Sequence, residues 1–190
     1  METDRIRWNQ RFGSGDSFLG ERPSPFLVME LGRIRHLAPG LMALDIACGE
    51  GRNSIFLARH GFRVTGLDIS DVGIATGIRR ARTAGVPVEF RQADLEGYRI
   101  VERYDLVINV NFLLRKLIPE EVGALTPGGL LLFDTILEAP HLTAVHNPAY
   151  LLGRGELRRI FASYDGEILC EEETDEGEMP TARLLFRKTC

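Results

Sequence analysis

The chain has 190 residues, 44% of them hydrophobic and 26% charged, with a formal net charge of −4. That length suits one domain with a sizeable core, and the acidic balance excludes the generally basic face that a nucleic-acid partner requires. Three scattered cysteines, Cys48, Cys170 and Cys190, exclude a disulfide framework and a zinc-type spacing.

No metal is therefore expected, and a reducing, cytoplasmic setting is. Residues 1–10 are charged rather than signal-like. No apolar run approaches the ~20 residues of a membrane span. Arg79, Arg80 and Arg82 cluster on a helical segment, where a charge run reads as a solvated face.

In chain order, residues 1–22 read as an amphipathic lead-in broken by two loops, at Gly13–Gly15 and Gly20–Pro23. Ser24-Pro25 starts a helix, with the hydroxyl as cap and proline in the first turn. Leu27, Leu31 and Ile34 form its apolar face, and Pro39-Gly40 ends it. Leu41–Ala47 reads as a strand, Gly49–Gly51 as a turn, Asn53–His60 as a helix and Phe62–Asp68 as a second strand. Ser70 caps a further helix whose apolar positions are Ile74, Ile78 and Ala81.

Val86–Gln92 and Tyr104–Val110 follow as strands, then Lys116–Ala124 as a helix. Pro127-Gly128-Gly129 turns into a fifth strand, Leu130–Ile136. Glu156–Ala162 reads as helical. Glu167–Thr174 and Thr181–Thr189 have no helix between them and so pair as an antiparallel hairpin. Strands separated by helices imply a parallel sheet covered on both faces.

The expected fold is therefore α/β: a Rossmann-like three-layer sandwich whose mostly parallel seven-stranded sheet ends in an antiparallel hairpin. It forms one domain over residues 1–190, with 1–38 as an N-terminal helical cap or lid and 39–190 as the core.

The chemistry concentrates where strands end, the usual ligand position in open α/β sheets. Gly49 and Gly51 allow a sharp turn and a close ligand approach, and the helix after them offers free N–H groups to an anion. Asp45 stands at the first strand's end, badly placed for a pyrophosphate and well placed for an ammonium. Asp68 ends the second strand, where a carboxylate accepts from ribose hydroxyls, and Ile69 beside it can cover an adenine. Asp94 follows the third strand; its carboxylate can accept from an adenine amino group while the Leu95 amide donates to a ring nitrogen.

Gly49-Glu-Gly-Arg-Asn-Ser54 is one residue from the G-x-G-x-x-G dinucleotide pattern, so an NAD-dependent oxidoreductase is the alternative. Asp45 and the C-terminal hairpin weigh against it. Cys48 beside the loop reads as a small space-filler.

Leu44-Asp-Ile-Ala-Cys-Gly-Glu-Gly-Arg-Asn-Ser54 with Gly66-Leu-Asp-Ile-Ser70 resembles motifs I and II of the class I S-adenosylmethionine (SAM)-dependent methyltransferases. The Cys-Gly-x-Gly-Arg-Asn-Ser form and Gly155-Glu-Leu-Arg-Arg159 are similar to a small bacterial branch of tellurite-resistance and thiopurine-methyltransferase-like proteins. The resemblance implies that Asp45, the backbone of Ala47, Cys48, Gly49 and Gly51, and Arg52 with Asn53 surround the methionine moiety. It implies Asp68 on the ribose, Ile69, Asp94 and Leu95 at the adenine, and the Asn109 backbone at the sulfonium. Ala47 departs from the family's common glycine, which implies a modest torsional constraint.

The implied reaction moves a methyl group from SAM, leaving S-adenosylhomocysteine (SAH), to a small-molecule acceptor. No nucleic acid or membrane partner is expected, and the protein is a monomer or homodimer. A catalytically silent SAM-binding sensor is the third alternative. Candidates around the acceptor are Trp8, Arg11, Asn111, Arg115, His141, His146, Tyr150 and Arg154, with Asp134 at the end of the fifth strand. The residues single out no catalytic base. Trp8, Phe12 and Phe18 are apolar groups suited to a lid. Asn147-Pro148-Ala149-Tyr150 is similar to an amino-group methyltransferase signature but lies after the fifth strand instead of the fourth, so it reads as a turn.

Overall fold

The computed structural model describes residues 2–14, 20–143, 147–175 and 179–190. Two helices lead in, α1 (Glu2–Phe12) and α2 (Pro25–Leu37), before the alternating part: β1 (Met42–Ile46), α3 (Arg52–Arg59), β2 (Arg63–Asp68), α4 (Asp71–Ala84), β3 (Val88–Gln92), β4 (Tyr104–Val110), α5 (Ile118–Gly123) and β5 (Leu125–Ile136). A short α6 (Pro140–Thr143), a single 3₁₀ turn at Pro148–Tyr150 and α7 (Glu156–Phe161) precede the hairpin of β6 (Gly166–Thr174) and β7 (Thr181–Lys188).

The sheet runs β3-β2-β1-β4-β5-β7-β6. β1 to β5 pair in parallel, and β7 joins β5 antiparallel. This is the expected seven-stranded arrangement. Strand order reverses between β1 and β4, which places the ligand crevice at the end of β1.

Alternation along the strands makes two cores. Leu44 and Ile46 of β1, Val107 of β4, and Leu131 and Phe133 of β5 face α5 and α7. Ala43, Leu106, Ile108, Leu130 and Leu132 face α2 and α3 with Phe26, Leu27, Ile34 and Leu57. Period-two alternation thus decides which face each polar strand residue reaches. Asp45 points to the α3 side, and Asn109 points to the α5 side.

Two local readings need correction, and a third holds. The buried face of α4 is Ile74, Gly77 and Ala81, whereas Ile78 is exposed. A β-carbon at Gly77 would stand 3.0 Å from the Phe90 ring, so the smallest residue faces β3 and lets the helix approach. The fifth strand begins at Leu125, not Leu130: Leu125 pairs with Tyr104 before the register shifts at Leu106. Pro127-Gly128 is thus an irregularity within the strand, with Gly128 at φ 78°. Asn147-Pro148 does form a turn, in which the Asn147 side chain accepts from the Ala149 amide at 3.0 Å.

Candidate active site

The loop from Ala47 to Gly51 carries three left-handed residues, Ala47 (φ 52°), Gly49 (φ 53°) and Gly51 (φ 79°). Gly51 is required twice over, since a β-carbon there would meet the Phe90 ring at 2.6 Å as well as carry the torsion. Ala47 takes the left-handed torsion with a β-carbon present, so its constraint is real strain rather than a narrowed choice. The Cys48 thiol is buried, near where a Gly66 β-carbon would stand, so only its backbone belongs to the loop.

Three acids stand at the ends of three neighbouring strands. Asp45 is 1% exposed and accepts from the Ser54 hydroxyl at 2.6 Å. Burial pushes its carboxyl up to about 7, against the opposing effects of Ser54 and Arg52. Asp68 is buried at the end of β2. One of its oxygens accepts from the Gly49 amide and the other from the Ser70 amide, each at 2.8 Å. Burial raises this carboxyl too, while the backbone donors hold it down. Asp94 is exposed, and its Oδ1 accepts from the Glu96 amide at 3.0 Å. Ile69, Ala93 and Asp94 border a cleft of about 220 Å³ whose other walls are Gln92 and, from α1, Glu2 and Arg5. The Leu95 side chain is buried in the α5-side core.

Helix α1 lies against this site. Asn9 donates to Asp71 at 2.7 Å and accepts from the Ser70 hydroxyl at 2.6 Å, and Arg5 donates to Asp71 at 2.9 Å. Phe12, stacked on Trp8 at 5.7 Å, packs where β-carbons of Gly49 and Gly73 would stand. The chain then returns through Ser24, which is 1% exposed. Its amide donates to the Asn53 side chain at 2.8 Å and its hydroxyl to Asp134 at 2.8 Å. Asp134 in turn faces Arg183 at 3.5 Å. Arg52 donates to the Arg22 carbonyl at 3.1 Å.

Several candidate residues have structural partners. The Asn53 side chain accepts from the Ser24 amide, and Asp134 lies on the α2 side in the same network. Arg115 donates to the carbonyls of Ala149 and Leu151 and pairs with Glu156, so it fastens the segment after α6. Arg154 pairs with Asp175 and Glu173 on the hairpin side. Asn109 donates its side-chain amide to buried Glu121 at 2.8 Å. Asn111 is exposed at φ 58°, and Tyr150 and His141 are exposed. Arg7 stands 6.0 Å over the Tyr150 ring and Arg11 5.6 Å over Trp8. His146 and Phe18 lie outside the described residues.

Sequence reasoning missed Asn9, Ser54, Glu121 and Arg183. Ser54 carried a signal, as the residue in the last position of the glycine motif. The others lie far in sequence from what they touch.

Residues 43–129 match the family described as "Methyltransferase domain". A ubiquinone biosynthesis O-methyltransferase of Methylobacterium sp. (strain 4-46) is 38% identical over 103 residues, covering 51% of this chain and 41% of that protein. The chain spans about half the length of the curated relatives it matches.

Among solved structures, magnesium protoporphyrin IX methyltransferase (ChlM) from Synechocystis PCC 6803 with bound SAH superposes with a TM-score of 0.76 at 21% identity, over 98% of this chain and 94% of that one. TehB from Haemophilus influenzae gives 0.69 at 23% identity, over 83% and 62%. N-methyltransferase NodS from Bradyrhizobium japonicum WM9 in complex with SAH gives 0.74 at 20% identity, over 97% of each chain. Residues 43–129 thus match a methyltransferase domain, and the sheet order and terminal hairpin around that segment give the chain the fold of these solved structures.

Proposed function

We propose that the chain transfers a methyl group from SAM to a small-molecule acceptor. The observation that carries this is the set of three carboxylates, Asp45, Asp68 and Asp94, at the ends of adjacent parallel strands around a left-handed loop.

The residues fit the cofactor. Asp45 is a buried carboxylate whose hydrogen-bond partner is a neutral hydroxyl, and a cationic ammonium would complete it. Asp68 uses one lone pair on each oxygen for backbone amides, which leaves capacity for two ribose hydroxyls. Ile69 and Asp94 face a cleft that would take the adenine.

When bound, SAM supplies a methyl group on a sulfonium, a leaving group that needs no acid assistance. The protein's work is alignment and exclusion of water. The Ala47–Gly51 backbone and the end of β4 at Asn109 would fix the methionine end, and α1 would cover it through Phe12 and Trp8. In this reading residues 1–38 are the cap and 39–190 the core. The acceptor would lie between α1 and the segment that Arg115 fastens, near Asn111, Tyr150 and His141. A base is required there only for a protonated hydroxyl or ammonium acceptor.

No helix among the described residues is long and apolar enough to cross a membrane. The cytoplasmic setting, supported by sparse cysteines, and a monomeric or homodimeric state belong to the same proposal. The test is transfer of labelled methyl from SAM to a panel of phenols, thiols, amines and metalloid oxyanions. Label in one acceptor class supports the reading. A uniformly negative panel with tight SAM binding opposes it and favours a silent binder.

A further inference from the structure

Below the end of β4 two buried polar atoms lack a hydrogen-bond partner, and they belong to one residue pair. Glu121 of α5 has no measurable exposure and Asn109 of β4 is 1% exposed. The Asn109 amide nitrogen donates to Glu121 Oε1 at 2.8 Å. That leaves Glu121 Oε2 and Asn109 Oδ1 unpartnered. Both are acceptors if the carboxyl is ionised, and two buried acceptors left over in one pair cost free energy. A single proton on Oε2 turns one of them into a donor, and an acid and an amide then complement each other through two parallel hydrogen bonds.

We propose that Glu121 is held as the neutral acid, that it closes a two-hydrogen-bond ring with the Asn109 amide, and that this ring positions the end of β4 beside the glycine loop. The surroundings agree. Among the described residues no cation pairs with Glu121, and its neighbour Glu120 turns to Arg99. The ionisable group that senses it is Tyr164 after α7, whose phenol is pushed up by burial and then by Glu121. Burial pushes the Glu121 carboxyl itself up to about 8, with only Asn109 opposing. Asn109 is also well placed to transmit the effect: its backbone pairs with Ile46, the last residue before the loop, and with Phe133 of β5.

Glu121 is thus a positioning residue, acting through the Asn109 main chain. The cofactor role of that main chain rests on the function proposed above; the protonation and the ring do not. The linkage sign follows from a raised acid. The folded state holds a proton that the unfolded state releases above about 4.5, so stability is full below that pH and declines as pH rises towards 8.

The test uses the intact chain with its glutamates carbon-13 labelled. Infrared spectra at pH 6.5 are expected to show the carbonyl stretch of one buried protonated glutamic acid. The band should disappear as the pH passes about 8, and it should be missing in Glu121→Gln. Glutamine donates and accepts in the same geometry, so this variant keeps the ring without a titrating group. Between pH 7 and 8 wild type should lose about 2–4 °C more of melting temperature than Glu121→Gln, and by pH 9 its SAH affinity should weaken several-fold more than that of the variant, in which only Asp45 and the ligand's own amino group titrate.

No protonated-glutamate band in the wild type at pH 6.5 overturns the proposal, whether or not the variant folds. So does a Glu121→Gln protein whose alkaline loss equals that of the wild type. If the band titrates but SAH affinity does not follow it, the protonated ring stands and the positioning of the cofactor end falls.

Discussion

At the scale of single residues, Asp45 is the most informative group. Its folded-state carboxyl is raised to about 7 from 3.8, chiefly by burial. A raised acid stabilises the fold below the unfolded value, and that stability is lost as pH rises from about 3.8 to 7. A bound ammonium reverses the balance, because it favours the charged carboxylate. Adenosyl-ligand binding at pH 6 is therefore expected to release close to one proton per site, falling to none by pH 8.5. Calorimetry in buffers of different ionisation enthalpy measures this directly, and a proton count of zero at pH 6 would remove Asp45 from the ammonium role. Ala47 makes a second case. Replacing it by glycine relieves the left-handed torsion but adds unfolded-chain entropy. Ala47→Gly should change stability by no more than about 1 kcal/mol, in either direction, in urea denaturation. A loss well beyond that would mean the methyl group has a packing role.

Elements show where sequence reading succeeds and where it stops. Asp45, Asp68 and Asp94 were legible because strand ends follow from periodicity and turn residues, and a strand end fixes a side chain's place to within a residue. The face a side chain reaches follows from alternation, but its partner does not. Asn53, Arg115, Arg154 and Asp134 all read as site candidates, yet each is bonded to a residue at least 20 positions away. Nothing in local pattern encodes such pairings. The same holds for α1, whose amphipathic character was visible but whose docking through Asn9 on Ser70 and Asp71 was not. That docking touches the loop that carries Asp68, which predicts a coupling. Asn9→Ala removes three side-chain hydrogen bonds, with the Ser70 hydroxyl, Asp71 and, at a longer 3.5 Å, the Val72 amide, worth together about 1–3 kcal/mol. Helix α1 should then dock less often, so SAH affinity should fall roughly tenfold (1.4 kcal/mol per decade), and the melting temperature of the ligand-free protein should drop by roughly 2–8 °C. Unchanged affinity would show that α1 does not act as a lid. The Arg115 clamp gives a separate test. Arg115→Met frees the carbonyls of Ala149 and Leu151, so limited proteolysis should cut between residues 147 and 155 faster than in the wild type, with SAH binding intact. An unaltered digestion pattern would argue that the segment is held by other contacts.

For the whole molecule, fold and family do not fix chemistry. Parallel strands, a switch point at the end of β1 and a terminal hairpin make a crevice, and related folds place different substrates in it. The proposal that this chain takes SAM rests on the crevice's own charge pattern: a buried acid with a neutral partner, a second acid braced by two amides, and a third at an open cleft. The acceptor half has no equivalent pattern: Asn111, His141, Tyr150 and Arg154 are exposed and lie on loops or short turns, where periodicity carries no information. The central claim is therefore the adenosyl ligand, and titration calorimetry of the wild type and Asp68→Ala with SAH and with NAD tests it most directly. The account predicts that SAH binds the wild type and NAD does not. It predicts also that Asp68→Ala weakens SAH about 100-fold, the loss of two charge-assisted hydrogen bonds at roughly 1.5 kcal/mol each. Binding of NAD without SAH, or an Asp68→Ala protein with wild-type SAH affinity, would contradict it.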